Sequence, residues 1–165
     1  MKHEHLVAHA LRYLKRCCVF STTQGLAFER PDAMGWMASG QSIVLEAKTS
    51  RKDLLGEWSR QDRKTFRHSG GLGVLRSYIT PPGIVTAEEV ESWGWGLIEV
   101  QSNRCVRIAE SDIWLPNLEY EIRLMATILS KVKIVFQEPQ LKIEFTAEEK
   151  ERNRKQARST LRRQG

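Results

Sequence analysis

The chain has 165 residues, 41% hydrophobic and 28% charged, which suits one folded domain and is too short for two. Its 26 Lys and Arg against 20 Asp and Glu give a formal net charge of +6, which favours a polyanionic partner. The sequence has no apolar run long enough to span a membrane, so we expect no membrane partner and a cytoplasmic location. An odd number of cysteines, with Cys17 and Cys18 adjacent, indicates reduced thiols rather than a disulfide framework.

The first part of the chain predicts a helix followed by short strands and turns. In chain order these are a helix over 5–14, a β-prone run over 17–21, a turn over 22–25, a strand within 26–37, a turn at 39–41, a strand over 42–48 and a helical turn over 51–55. Because a central strand rarely accommodates proline, Pro31 should mark a strand start or a bulge.

The later part of the chain predicts more strands and a second amphipathic helix. These elements are a polar helical segment over 57–68, a glycine-rich joint over 69–73, a strand over 74–80, a helical turn over 87–91, a hairpin of 95–100 with 105–109, and a helix over 118–132. The apolar side of that last helix is expected to hold Ile122, Met125, Ala126 and Leu129. The order predicts an α/β fold class, with one mixed sheet flanked by helices.

Domain organisation is expected to change near residue 135. Residues 1–135 would form the domain, and residues 136–165 a C-terminal extension whose basic tail is either helical or disordered. From Glu148 to Gly165 the chain carries seven Lys or Arg and three Glu, so this tail holds much of the net charge. It has almost no apolar residue with which to dock by a hydrophobic face.

Three polar residues on consecutive predicted strands form the candidate site. Glu46 and Lys48 lie two residues apart and therefore share one strand face, with about 7 Å between their Cα atoms. Asp32 lies 14 residues before Glu46 and directly after Pro31. Taken singly, Asp32 also fits a turn and the Glu46–Lys48 pair an exposed salt bridge. Together they favour a divalent-cation site with a lysine beside it.

The arrangement resembles the PD-(D/E)XK nuclease superfamily, and in particular its small phage and bacterial members. The residues that carry the likeness are Pro31-Asp32, Glu46-Ala47-Lys48, Ser50-Arg51-Lys52-Asp53, Tyr78-Ile79-Thr80-Pro81-Pro82-Gly83 and Trp95-Gly96-Leu97-Ile98-Glu99-Val100. The resemblance runs from about His3 to Ile108 and implies a restriction-endonuclease-like fold.

The resemblance also implies an activity: a Mg²⁺-dependent nuclease acting on DNA, an endonuclease that leaves 5′-phosphates. Asp32, Glu46 and Lys48 would be catalytic, and Asp32, Glu46 and the backbone carbonyl of Ala47 would hold Mg²⁺, for which Mn²⁺ would substitute. Lys48 would orient the attacking water or help to deprotonate it. Many members add an acidic residue from the first helix, which makes Glu4 an additional catalytic candidate. An acid at that position equally suits the start of a helix.

The densest basic stretch outside the tail follows Lys48 and is predicted to bind nucleic-acid phosphates. Its members are Arg51, Lys52, Arg60, Arg63, Lys64 and Arg67. Trp58 fits a half-buried helix residue better than a base-stacking one. Ser50 is expected to cap a helix by accepting from the N–H of Lys52 or Asp53, and Asp53 to support the site.

Two alternatives to the nuclease stay open from the sequence. One is a catalytically idle nucleic-acid-binding protein of the same fold. The other is a nuclease subunit in repair or replication that needs a protein partner, with the tail as its docking arm. A homodimer would suit cleavage of both strands. A zinc site is disfavoured because adjacent cysteines lack the usual ligand spacing. The choice between DNA and RNA, and between single and double strands, is also open.

Overall fold

The structure is a computed structural model, and it describes residues 1–25, 29–58 and 70–131. Its helices are α1 (His3–Cys17), α2 (Arg51–Trp58), α3 (Ala87–Glu91) and α4 (Leu118–Lys131). Its strands are β1 (Phe20–Thr22), β2 (Ala33–Trp36), β3 (Ser42–Ala47), β4 (Leu75–Thr80), β5 (Gly96–Gln101) and β6 (Arg104–Ala109). The chain divides into two units, Met1–Val132 and Lys133–Gly165. The second unit lies outside the described residues, so the predicted character of the tail stays a prediction.

The six strands form one mixed sheet in the order β1-β2-β3-β4-β5-β6. The pairs β1–β2, β2–β3 and β5–β6 are antiparallel, whereas β3–β4 and β4–β5 are parallel. Parallel neighbours need a crossover connection, and α2 and α3 lie in the two connections concerned. The fold class expected from the sequence, a mixed β-sheet flanked by helices, is therefore confirmed.

The two faces of the sheet pack against different helices. One face buries Leu45, Ala47 and Ile79 against Leu6 and Leu14 of α1. The opposite face forms two clusters, which contain Leu54 of α2 with Tyr78 and Leu97, and Leu124 and Ile128 of α4 with Met34 and Val44. Because side chains alternate along a strand, Glu46 lies on this second face, away from α1.

Local sequence features explain where β2 and β3 begin and end. Pro31 lies two residues before β2, so it interrupts no ladder, and the prediction that it marks a strand start is confirmed. Gly40 adopts a φ of +86° in the turn that leads to β3, and the Met37 N–H donates to the Gln41 carbonyl at 2.8 Å. This turn fixes the register in which Ala33 faces Leu45.

Some predicted elements differ from the observed ones. The first helix extends to Cys17, so that residue is helical and the following strand begins only at Phe20. The predicted apolar side of α4 is confirmed for Met125, which packs against the core, and is wrong for the other three residues. Ile122 and Leu129 are each 61% exposed, and Ala126 is exposed as well. The face that packs on the sheet instead includes the charged Glu121, which is 4% exposed, and no hydrophobic pattern would assign a glutamate to it. The predicted helical segment over 57–68 begins within α2, and its remaining residues, 59–68, lie outside the described residues.

A tight hairpin joins β5 to β6. Ser102 and Asn103 have φ values of +46° and +66°, and a two-residue loop with both central residues left-handed matches the twist of the flanking strands. Asparagine tolerates this conformation better than most residues. No helix within the described residues is long and apolar enough to cross a membrane.

Candidate active site

Asp32, Glu46 and Lys48 lie at one end of the β2–β3 pair. Asp32 directly precedes β2, and continuing the antiparallel register from Ala33 and Leu45 places it opposite Glu46. Lys48 directly follows β3, and its backbone N–H donates to the Ile79 carbonyl at 3.0 Å, so the extended alignment continues through it. The structure therefore brings together the three residues that the sequence predicted to be catalytic.

The backbone of Ala47 holds the carboxylate of Asp32. The Ala47 N–H donates to Asp32 Oδ2 at 2.8 Å, in place of a ladder hydrogen bond to the β2 backbone. In an extended strand the N–H and C=O of one residue point to the same side. The Ala47 carbonyl thus points to the side of β3 where Asp32 lies. The resemblance implies that this carbonyl oxygen is a metal ligand, together with Asp32 and Glu46.

Glu46 and Lys48 form a buried pair of opposite charges. Glu46 Oε2 lies 4.0 Å from Lys48 Nζ, and the two side chains are only 3% and 9% exposed. That separation is longer than a charge-assisted hydrogen bond, so the two groups attract each other electrostatically without a direct hydrogen bond between them. On the neighbouring strand Tyr78 faces Glu46 in register, and its ring stacks on Trp95 with centroids 4.5 Å apart. A stacked aromatic pair therefore lies on the strand beside Glu46.

His3 is a member of the site that sequence reasoning missed. Its Nε2 lies 3.2 Å from Asp32 Oδ1, and its side chain is 49% exposed against 21% for Asp32. The first turn of α1 thus reaches the candidate site through His3. Glu4, the residue predicted to join the site, is exposed in the same turn and stays a prediction. The only sequence signal for His3 was its position beside Glu4.

The donor set fits a hard divalent cation. Asp32, Glu46 and the Ala47 carbonyl offer oxygen atoms, which Mg²⁺ prefers, and Mg²⁺ commonly binds through one or two carboxylates while it keeps several waters. Within the described residues, no three or more His, Cys, Asp or Glu side chains are grouped so as to hold a metal. A cation here would accordingly depend on two carboxylates, one carbonyl and water.

The basic stretch after Lys48 is only partly described. Arg51 and Lys52 are exposed in the first turn of α2. The Arg51 guanidinium donates to both carboxylate oxygens of Glu89, one of them at 3.0 Å, and to the Ile84 carbonyl at 3.3 Å, so its charge is compensated within the protein. The other residues predicted to bind nucleic acid lie outside the described residues: Arg60, Arg63, Lys64 and Arg67.

Ser50 acts as the helix cap that the sequence predicted. Its hydroxyl oxygen accepts a hydrogen bond from the backbone N–H of Asp53 at 3.2 Å. The cap lies two residues after Lys48 and α2 begins at the next residue, which fixes the direction in which the chain leaves the candidate site.

No protein-family model matches this chain. A search of curated proteins also returned no match. Among solved structures, the chain is similar to the SPO1766 protein of unknown function from Silicibacter pomeroyi, at 15% sequence identity and a TM-score of 0.59. The similarity covers 79% of this chain and 88% of that one. At this identity the likeness shows a shared fold alone.

Proposed function

We propose that this protein is a Mg²⁺-dependent nuclease of the PD-(D/E)XK superfamily, located in the cytoplasm. It hydrolyses DNA phosphodiester bonds as an endonuclease and leaves 5′-phosphates. The observation that supports this most is the convergence of Asp32, Glu46 and Lys48 at one end of two paired strands, with Asp32 held by the Ala47 N–H at 2.8 Å. The donor set fits the expected cation, and the lysine lies beside it.

The reaction is the attack of a water oxygen on phosphorus, with loss of a proton from the water. The bond from phosphorus to the 3′ oxygen breaks, and that oxygen leaves as a hydroxyl after taking up a proton. Asp32, Glu46 and the Ala47 carbonyl would hold Mg²⁺. When bound, Mg²⁺ supplies a water of lowered pKa and offsets charge on the phosphoryl oxygens.

The remaining chemistry falls to the protein's own side chains. The Ala47 N–H donates to Asp32 Oδ2 and so orients that carboxylate for its role in the reaction. The Lys48 ammonium lies on the same strand face as Glu46, where it orients the attacking water and stabilises the negative charge that develops on the phosphoryl oxygens. His3, at 3.2 Å from Asp32, positions the second oxygen of that carboxylate.

Cleavage assays on supercoiled plasmid and on labelled single-stranded DNA, each with Mg²⁺, test the proposal. Lys48→Ala should reduce the rate by about 10²- to 10³-fold, the loss typical of removing one electrostatic contact from a catalytic site. Lys15→Ala is the matched control, because Lys15 is exposed in the last turn of α1, and its rate should stay within about twofold of the parent. Equal rates for Lys48→Ala and the parent would rule out the proposal.

The same assays separate the two alternative functions. DNA binding that persists in EDTA, with no cleavage in Mg²⁺ or Mn²⁺, would mean a binding protein that keeps the fold without turnover. Cleavage that appears only when a second protein is added, and that is lost on deleting residues 148–165, would mean a subunit that docks through its tail.

A further inference from the structure

A cavity lies between α1 and the start of β6, and none of its lining residues belongs to the Asp32–Glu46–Lys48 site. Its volume is about 590 Å³. The lining residues that matter below are His9, Arg12, Arg16, Asn103, Arg104 and Cys105. Arg12 and Arg16 lie one helical turn apart on α1, and Arg104 is the first residue of β6, so two elements contribute guanidinium groups to one space.

The positive charge of this cavity is not balanced by acidic side chains. Within the described residues, no ion pair joins Arg12, Arg16 or Arg104 to a carboxylate. The neighbouring Arg107 differs, since it pairs with Glu110 at 2.9 Å. Arginines that face a cavity without acidic partners favour an anionic ligand, and the guanidinium fork matches a phosphate group in particular.

The floor of the cavity is neutral. His9 is 5% exposed, and burial, with the nearby charges of Arg12 and His5, lowers its pKa below 6.5, while a hydrogen bond with Asn103 opposes that shift. Burial raises the pKa of the Cys105 thiol, which donates to the His9 carbonyl at 3.7 Å. At neutral pH neither side chain is charged, so the charge of the ligand that the cavity favours depends on the arginines alone.

The cavity and the candidate active site lie toward the same edge of the sheet, the cavity on the face covered by α1 and Glu46 on the opposite face. Strands β3, β4 and β5 are parallel, so Lys48 after β3 and the Ser102–Asn103 turn after β5 lie at the same edge of the sheet. With neighbouring strands about 4.8 Å apart, β6 is about 14 Å from β3. Arg12 lies nine residues along α1 from His3, which contacts Asp32. That separation is also about 14 Å.

We propose that this cavity binds backbone phosphates of the nucleic-acid strand that is cut at the candidate site. The inference rests on the proposed function. Each strand of a duplex carries a phosphate about every 3.4 Å along its axis, so the arginines would hold the strand at least about four nucleotides from the scissile bond. These phosphate contacts would position the strand. They would give no sequence preference, because contacts with phosphates do not distinguish one base from another.

Binding measured without turnover tests this inference. Fluorescence anisotropy of labelled DNA in EDTA should show the double variant Arg12→Ala/Arg16→Ala binding at least about tenfold more weakly than the parent. The slope of log affinity against log salt should fall by about two. The matched control is Lys15→Ala/Arg123→Ala, which removes the same charge from exposed positions outside the cavity, and it should bind within about twofold of the parent.

A second readout locates the ligand. After Cys17→Ser/Cys18→Ser, Cys105 is the sole thiol of the chain, and DNA should slow its alkylation severalfold. If inorganic phosphate protects Cys105 as well as DNA does, and the arginine double variant binds DNA like the parent, the cavity holds a free phosphate group and the inference is overturned. The absence of any DNA binding by the parent would overturn it as well.

The two proposals fail in different ways. If the parent cleaves DNA and the arginine double variant binds DNA normally, the cavity does not bind the DNA strand. The proposal that the protein is a nuclease then still stands. A parent that never cleaves, but whose binding depends on Arg12 and Arg16, refutes the nuclease and keeps the cavity as a phosphate site.

Discussion

Acidic side chains lie at opposite ends of the β2–β3 pair: the buried Glu121 at one end, and the half-buried Asp32 with the buried Glu46 at the other. At the end where Trp36 faces Ser42, Glu121 of α4 is 4% exposed and accepts three hydrogen bonds. Its donors are Ser42 Oγ at 2.7 Å, the Gly73 N–H at 2.8 Å and Trp36 Nε1 at 3.1 Å. At the other end Asp32 accepts from the Ala47 N–H and faces His3, while Glu46 lies 4.0 Å from Lys48.

The difference lies in the partners. Glu121 is held by neutral donors, which satisfy the carboxylate where it is and fasten α4 to the sheet. The carboxylates of the candidate site have ionisable neighbours, His3 and Lys48, whose interactions can change when a cation or a phosphate arrives. Burying the oppositely charged Glu46 and Lys48 side chains carries a desolvation cost to stability. We therefore interpret the Glu121 end as structural and the Asp32 end as functional.

Asp32→Asn tests the comparison with the largest expected effect. The substitution keeps the shape of the side chain and its hydrogen bond with Ala47, and it removes the negative charge that would hold Mg²⁺. Cleavage should fall by about 10²- to 10³-fold. The free energy of unfolding in urea should change by less than about 1 kcal/mol. A large loss of stability with activity retained would place Asp32 in the structural group.

Glu121→Ala should give the opposite pattern. It leaves three buried donors without their acceptor, each costing about 1–3 kcal/mol, and water entering the space offsets part of the loss. The free energy of unfolding should fall by about 3 kcal/mol, with cleavage by the folded fraction little changed. Glu119→Ala is the control on the same helix, because Glu119 is 67% exposed and pairs with Arg123. Its effect should stay within about 0.5 kcal/mol.

His3→Gln probes the ionisable partner of Asp32. Removal of a group that orients a ligand typically costs about 10- to 100-fold in metal affinity, so a correspondingly higher Mg²⁺ concentration should be needed for half-maximal cleavage. His5→Gln changes an exposed histidine two residues on and should leave the Mg²⁺ dependence unchanged. An unaltered Mg²⁺ requirement in His3→Gln would mean that the 3.2 Å contact is incidental.

The candidate site was predictable from the sequence because its members are local in the chain. Asp32 directly precedes β2 and Glu46 lies on β3, the next strand, and the period of two along a strand puts Glu46 and Lys48 on one face. His3 could not be found in this way, since only the packing of α1 on the sheet brings it to Asp32.

The Glu121 end shows where sequence reasoning fails. Its donors Trp36 and Ser42 are 85 and 79 residues away along the chain, so no local pattern connects them. Strand and turn positions were predicted well because proline and glycine mark turns and strand starts, and side chains that alternate between two faces mark strands. The buried side of α4 was predicted wrongly because the hydrophobic pattern favoured Ile122 and Leu129, and a charged residue occupies the packed face in their place.

Glu89→Gln extends the comparison to a carboxylate at the surface and has the smallest expected effect. The hydrogen bond from Arg51, with a second from the Thr86 N–H, lowers the pKa of Glu89 from 4.5 to about 2. Because the folded-state pKa is depressed, this carboxylate contributes stability above about pH 4.5 and loses it as pH falls towards 2. Glutamine keeps the capping box with Thr86 and removes only the charge.

The thermal midpoint of Glu89→Gln should therefore lie slightly below that of the parent at pH 6, and the gap should narrow as pH falls from 5 to 3. The gap is small because the Arg51–Glu89 pair is solvent-exposed and screened by salt. The substitution also leaves the charge of Arg51 uncompensated beside α2. If Arg51 binds phosphate as the sequence predicted, DNA affinity in EDTA should rise. Unchanged affinity would mean that Arg51 serves only to hold α3 against α2.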